Sequence, residues 1–187
     1  MEKLRSKFQN LLPDPNDLGR LLSKFKSATF EKSEFLIRPG DVARKLFFIE
    51  QGSVVLGSEL HDKSVARHLV TENEFITCLE SFSKQQSTQE FLKASECTVT
   101  YYVTRSDFDQ AMDAFPAIEK FYNQLVFDTL LSCQQRITDL TSLNASDYYT
   151  NILEKHPDHI QKMPQYDLAS FMGIKPQSLS RLRKTRK

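Results

Sequence analysis

Gln165-Tyr-Asp-Leu-Ala-Ser-Phe-Met-Gly-Ile-Lys-Pro-Gln-Ser-Leu-Ser-Arg-Leu182 has the spacing of a helix-turn-helix. Leu168, Ala169 and Met172 share one face of a first short helix. Gly173 follows, where a helix end favours a residue that tolerates positive φ. Lys175 then precedes Pro176, which suits the first turn of a second helix. Leu179 and Leu182 stand three apart on that helix and share its inner face. The small side chain of Ala169 lets two helices cross closely at the steep angle of this motif. The second helix is left with an outer face of Gln177, Ser178, Ser180, Arg181 and Lys184. Gln and Arg can make bidentate contacts to base edges, while Ser and Lys suit bases or phosphates.

Moving outward, six of the last fourteen residues are basic and none is acidic, although the whole chain carries a formal charge of only +1. Such a local concentration of charge on a short helix is the footprint of a phosphate-binding surface. The hydrophobic share of 40% and charged share of 26% are ordinary for a globular chain. Fourteen Phe and no Trp form a skew with no evident meaning at this level. Met1-Glu-Lys-Leu-Arg-Ser-Lys-Phe8 has no long apolar run, so no secretory signal is expected, and no stretch approaches membrane-spanning length. Cys78, Cys97 and Cys133 are scattered and odd in number, which fits a reducing cytosol and a cytoplasmic location. His61 with His68, and His156 with His159, have no cysteines nearby. They read as exposed surface histidines, and neither a metal nor another cofactor is expected.

From about Thr29 to Val103 the chain reads as short strands: Phe35–Ile37, Leu46–Ile49, Val54–Leu56, Val65–Val70 and Val99–Val103. Gly40, Gly52 and Gly57 punctuate them, which suggests a small barrel or sandwich. Before them, Pro13 and Pro15 break the chain, and Leu18, Leu21, Leu22 and Phe25 give a short amphipathic helix. After them, Ser106 or Asp107 can cap a helix through Met112, and Pro116 opens another. One long helix is expected from Ala117 to about Leu143. Val126, Leu130, Cys133, Ile137 and Leu140 alternate at spacings of four and three, which is a heptad seam. Ile118, Phe121, Tyr122, Leu125 and Phe127 add a second apolar surface, so one face can pack on the barrel and the other on a partner chain. Ser146–Lys155 is a further helix candidate, His156-Pro-Asp-His159 breaks it, and Ile160–Met163 is expected as a short extended link.

The order of barrel, long helix and helix-turn-helix resembles the Crp–Fnr family of bacterial transcription regulators over nearly the whole chain. Phe35-Leu-Ile-Arg-Pro-Gly-Asp41, then Leu46–Leu56, looks like the opening strands of a cyclic nucleotide-binding domain. Tyr102–Phe108, then Phe115-Pro116, looks like that domain's exit into the dimer helix. The cassette departs from the pattern of members that bind cyclic AMP, which carry a Gly-Glu pair and a downstream arginine. Thr77-Cys78 falls where Gly-Glu is expected, and Lys84-Gln-Gln-Ser-Thr-Gln-Glu-Phe91 contains no arginine. Without it a buried phosphate loses its counter-charge. A cyclic-nucleotide site is therefore not carried over, and Lys84 could substitute only by rearrangement of its loop. No cysteine precedes Cys78, which argues against the iron–sulfur cluster of the oxygen-sensing branch.

The resulting expectation is an α+β chain without catalytic activity. Residues 1–115 would form a cyclic nucleotide-binding-like jelly-roll barrel (a double-stranded β-helix) with flanking helices, 116–143 the long dimerisation helix, and 144–187 a helix-turn-helix DNA-binding domain, winged-helix-like or a truncated form of it. Any wing would come from Ile160–Met163 or be absent. The resemblance implies a homodimeric, sequence-specific regulator on a palindromic double-stranded DNA site, with RNA polymerase as a further partner and an effector of unknown identity. It assigns base reading to Gln177, Ser178 and Arg181, and phosphate contacts to Lys175, Ser180, Arg183, Lys184, Arg186 and Lys187. Gln165 and Tyr166 could also reach the DNA backbone. The alternative reading is a sensor of a cyclic nucleotide or another small ligand.

Overall fold

The computed structural model describes residues 1–60 and 63–185. His61, Arg186 and Lys187, named above, lie outside the described residues. Among the described residues, eight strands form two antiparallel sheets of four. The first runs β1 (Lys26–Phe30), β8 (Thr98–Thr104), β3 (Lys45–Gln51), β6 (Phe75–Ile76). The second runs β2 (Phe35–Ile37), β7 (Glu90–Ala94), β4 (Val54–Leu60), β5 (Lys63–Val70). The expected closed barrel is thus two separate sheets. The edge strands β6 and β2 are only two and three residues long, too short to carry the ladder from one sheet into the other.

Helices surround the sheets. α1 (Glu2–Gln9), α2 (Pro15–Leu22), α3 (Leu79–Lys84) and α4 (Arg105–Ala114) belong to the sheet domain. Asp14 caps α2 by accepting from Asn16 and Asp17, and Thr104 rather than Ser106 or Asp107 caps α4. The long helix α5 spans Pro116–Ser142, close to the expected range. Asn144 caps α6 (Ala145–Lys155), and α7 (Pro157–Lys162), α8 (Gln165–Phe171) and α9 (Pro176–Thr185) complete the chain. Ile160–Met163 is therefore not an extended link. Pro157 opens a helical turn that runs through Lys162, and only Met163 is extended. Among the described residues no strand follows β8, so the structure contains no wing there.

Two apolar clusters organise these elements. In the first, Ile37, Leu46, Phe47, Phe48, Ile49, Val54, Leu56, Val70, Leu92 and Val103 come from both sheets and meet Leu4 and Phe8 of α1 and Ile118 of α5. Here the phenylalanine skew acquires a structural meaning. Phe75 lies 5.8 Å from Phe8, 5.0 Å from Phe48 and 5.3 Å from Phe121, centroid to centroid, in tilted or edge-on geometry. These rings knit α1, the first sheet and α5 together, and each such pair contributes about 0.5–1.5 kcal/mol beyond the area it buries.

The second cluster lies on the opposite face of the second sheet. Val55, Ala66, Leu69 and Phe91 pack against Tyr148, Tyr149, Ile152, Leu168, Ala169, Met172 and Leu179 of the C-terminal helices. Neighbouring positions such as Val54 and Val55, or Leu69 and Val70, are both buried because each face of this sheet is covered. Gly57 permits the packing. A Cβ there would meet Phe91 Cζ at 2.5 Å and the Val65 carbonyl at 2.7 Å.

The long helix divides its faces much as the heptad reading anticipates, with one correction. Ile118, Phe121, Tyr122 and Leu125 join or pack on the first cluster. Phe127 does not. It points outward at 53% exposure, with Leu130 at 53%, Leu131 at 46%, Ile137 at 61% and Leu140 at 38%. Cys133 is exposed but borders the cleft beneath α6.

Candidate functional site

The turn between α8 and α9 is a Schellman motif. Gly173 has φ +68°, Ile174 N–H donates to the Ala169 carbonyl at 3.0 Å, and Gly173 N–H donates to the Ser170 carbonyl at 3.1 Å. Leu168, Ala169, Met172 and Leu179 are buried, as the spacing predicts. A further tie comes from Gln165, whose Nε2 donates to the Pro176 carbonyl at 2.9 Å and joins the starts of the two helices.

This anchoring presents one side of α9 to solvent. Gln177, Ser178, Arg181 and Lys184 are exposed, as is Lys175 just before the helix, and Ser180 is half-buried. Tyr166 on α8 is 53% exposed. The structure therefore brings together most of the residues read as a binding face, with two exceptions. Arg183 turns inward and donates from Nη2 to the Ile160 carbonyl at 2.8 Å, while its buried Nε meets no partner among the described residues. Gln165 is engaged in the inter-helix tie described above.

The sheet domain's cassette is built from side chains that serve the fold. Thr77 Oγ1 donates to the Lys45 carbonyl at 2.9 Å. Cys78 is buried, and burial pushes its thiol up to about 12, so it stays protonated. Ser81 Oγ accepts from Ala43 N–H at 2.9 Å and donates to the Gln86 carbonyl. Gln85 holds the Ala43 and Phe82 carbonyls, and Arg105 donates to the Phe82 carbonyl at 2.7 Å. Lys84 lies on the surface, paired with Glu80 at 2.8 Å. Phe82 is fully buried against Phe108 and Tyr122. Phe91 belongs to the other face of β7, 5.8 Å from Phe35.

Sequence reasoning missed how the C-terminal helices dock. Ser170 Oγ on α8 accepts from Ala66 N–H of β5 at 3.0 Å. Arg136 of α5 donates to the Ala66 carbonyl at 3.2 Å and to the Phe171 carbonyl at 2.9 Å, and its guanidinium lies 4.6 Å from the Phe171 ring centre. The long helix thus grips β5 and the end of α8 together. Burial holds the Arg136 pKa below its ordinary value. The histidine reading holds for His156, which is exposed, but not for His159, which is buried, or His68, which is half-buried; all three line a cleft beside β5.

Comparison with known proteins agrees with the sheet-domain reading. Residues 28–115 match the family model of the cyclic nucleotide-binding domain. The chain is 22% identical over 164 residues to potassium/sodium hyperpolarization-activated cyclic nucleotide-gated channel 1 of Homo sapiens, covering 87% of this chain and 18% of the channel. It thus spans about a fifth of the length of the curated relatives it matches. Among solved structures, FixK2 from Bradyrhizobium japonicum superposes with a TM-score of 0.76 at 13% identity, covering 86% of this chain and 83% of that one. CLP of Xanthomonas campestris, a c-di-GMP responsive global regulator, gives 0.70 at 18% identity, with 92% and 91% covered. A CooA mutant from Carboxydothermus hydrogenoformans gives 0.71 at 18% identity, with 94% and 82% covered. Residues 28–115 are thus similar to a cyclic nucleotide-binding domain, and the chain has the fold of these solved proteins.

Proposed function

We propose that the chain is a homodimeric, sequence-specific DNA-binding transcription regulator of the Crp–Fnr type, in which α8 and α9 form the helix-turn-helix and the cyclic nucleotide-binding domain does not answer to cyclic AMP. The observation that carries this reading is the outer face of α9, where Gln177, Ser178, Arg181 and Lys184 are exposed together on a helix fixed by its buried Leu179. Gln177, Ser178 and Arg181 suit base edges, while Lys175, Ser180 and Lys184 suit phosphates. Arg183 is a weaker candidate because its guanidinium is engaged by the Ile160 carbonyl. The fold shared with solved regulators supports this assignment, as does the exposed row Phe127, Leu130 and Ile137, which suits a second copy along α5.

Pairing along α5 would put two α9 helices on one side of a duplex, reading half-sites roughly 34–36 Å apart. Selection of bound sequences from random duplex DNA tests this directly. A two-fold symmetric consensus is the expected outcome, and recovery of unselected sequence would refute it. The family match favours a second reading, a cyclic-nucleotide sensor. Thr77 and Cys78 oppose it, since neither supplies the carboxylate that a ribose hydroxyl would meet. Calorimetric titration with cyclic AMP and cyclic GMP separates the two readings.

A further inference from the structure

Three histidines converge where the C-terminal helices meet the sheet domain. His68 stands on β5, His156 ends α6 and His159 lies in α7. The rings of His156 and His159 stack with centroids 4.9 Å apart and 12° between their planes. All three border a cleft of about 460 Å³ lined chiefly by β5, the long helix and α6, with His159 of α7 at its edge. Arg136, the residue that ties β5 to α8, borders the same cleft. We propose that this histidine cluster is an acid-sensitive latch, which holds the C-terminal helices on the sheet domain and releases them when His68 and His159 take up protons. The inference rests on the docking geometry and stands apart from the DNA-binding reading.

The docked state disfavours charged imidazoles. Burial, then Arg136 and His156, bring His68 down to about 4. Burial, then His156 and His68, bring His159 to about 4 against the opposing pull of Asp158. In the released state both would titrate near the ordinary value of about 6.5. The released state therefore binds more protons between these limits. Docking is at full strength above about pH 6.5 and weakens as pH falls toward about 4.

The other charged groups around the cleft do not cancel this. From α5, Asp128 and Asp139 accept hydrogen bonds from Gln124, Gln135 and Asn151. From α6, Lys155 adds positive charge, and burial holds the Tyr148 hydroxyl up at about 12, so it is neutral. Arg67 of β5 is paired with Glu90, and Lys7 of α1 is a further cation. On α7, Asp158 lies 3.7 Å from Lys162. Glu74, which accepts from Thr71 N–H, and Asp167 on α8 are raised by burial and carry the opposite sign, since they bind protons better when docked. Their opposing contribution sets in as pH falls through their raised docked values, and a variant that removes only the histidines leaves it in place, which isolates the histidines' share.

The hydrogen bond from Ala66 N–H to Ser170 Oγ reports on the latch. Hydrogen exchange measured on the intact chain at pH 7 and at pH 5.5, with intrinsic rates removed, should show a loss of protection at Ala66 of about tenfold or more, since each of the two histidines contributes roughly eightfold. Amides of β3 paired with β8 should keep theirs. His68→Gln combined with His159→Gln should abolish the loss at Ala66. Unchanged protection at Ala66 in the wild type, or an equal loss in the double variant, would overturn the proposal. Should the variant fail to fold, imidazole proton resonances of the wild type decide. His68 and His159 titrating well below 6.5 support the latch, and titration at the ordinary value refutes it.

Discussion

Replacing Arg136 with methionine tests whether the long helix positions the C-terminal helices. Methionine keeps an apolar stem against Phe171 but removes the two bonds to the Ala66 and Phe171 carbonyls. Hydrogen bonds involving a charged group contribute about 1.5–3 kcal/mol each. The stacking on Phe171 adds about 0.5–1 kcal/mol. Against this, the variant is spared the cost of keeping a guanidinium away from water, and water in the adjoining cleft can solvate the freed carbonyls. The net loss is about 2 kcal/mol, or roughly thirtyfold in the equilibrium between docked and released helices. Native-state hydrogen exchange reads it. The Ala66 amide and the amides of α8 should exchange about thirtyfold faster, while β3 amides paired with β8 are unaffected. Unchanged exchange at Ala66 would show that apolar packing alone fixes the unit. Equal acceleration throughout the first sheet would show that the whole chain had been destabilised. Either result refutes the reasoning.

Arg181→Ala should weaken binding to the selected DNA site by about 1–3 kcal/mol while barely changing binding to random DNA, measured by fluorescence anisotropy; an equal loss on both would make Arg181 a phosphate contact. Leu130→Asp with Ile137→Asp, placed at positions 53% and 61% exposed in the single chain, should give monomers in sedimentation, and an intact dimer would locate the interface elsewhere. Cyclic AMP should bind more weakly than about 1 mM in calorimetry, and micromolar affinity would overturn the reading of Thr77 and Cys78. Gly173→Ala should lower thermal stability by about 1–2 kcal/mol, because alanine resists the left-handed conformation; a stability equal to wild type would argue against that geometry in solution.

The α8–α9 turn was legible because its signals are local. Gly173, Pro176 and the Leu168, Met172 and Leu179 positions each state a backbone or burial requirement within eighteen residues of one another. The strands at Leu46–Ile49 and Val54–Leu56 were legible for the same reason. α7 is hidden in the sequence because Pro157 reads first as a terminator of α6, although proline also opens helices and Asp158 suits a first turn. α1 escaped notice because only Leu4 and Phe8 mark its inner face, a pair at i, i+4 within an otherwise polar segment. Docking of α8 on β5 lies beyond local pattern. Its trace in the sequence is the run of neighbouring apolar residues, Val54-Val55 and Leu69-Val70, which require burial on both faces of a sheet without saying what supplies the second cover. The histidine cleft was invisible for a related reason, since His68 and His159 lie far apart in sequence.

The long helix has a consequence for how insertions and deletions in this chain would act. Leu125 is seated in the aromatic cluster and Arg136 grips β5, eleven residues further along one unbroken helix. The helix therefore works as a keyed shaft, in which angular phase matters as much as length. One residue added between those two points turns everything beyond by about 100° and advances it about 1.5 Å. Arg136 would then face away from Ala66, and the outward row from Phe127 to Ile137 would twist out of line. Evolution could exchange most side chains along α5 more readily than it could add or remove a single one.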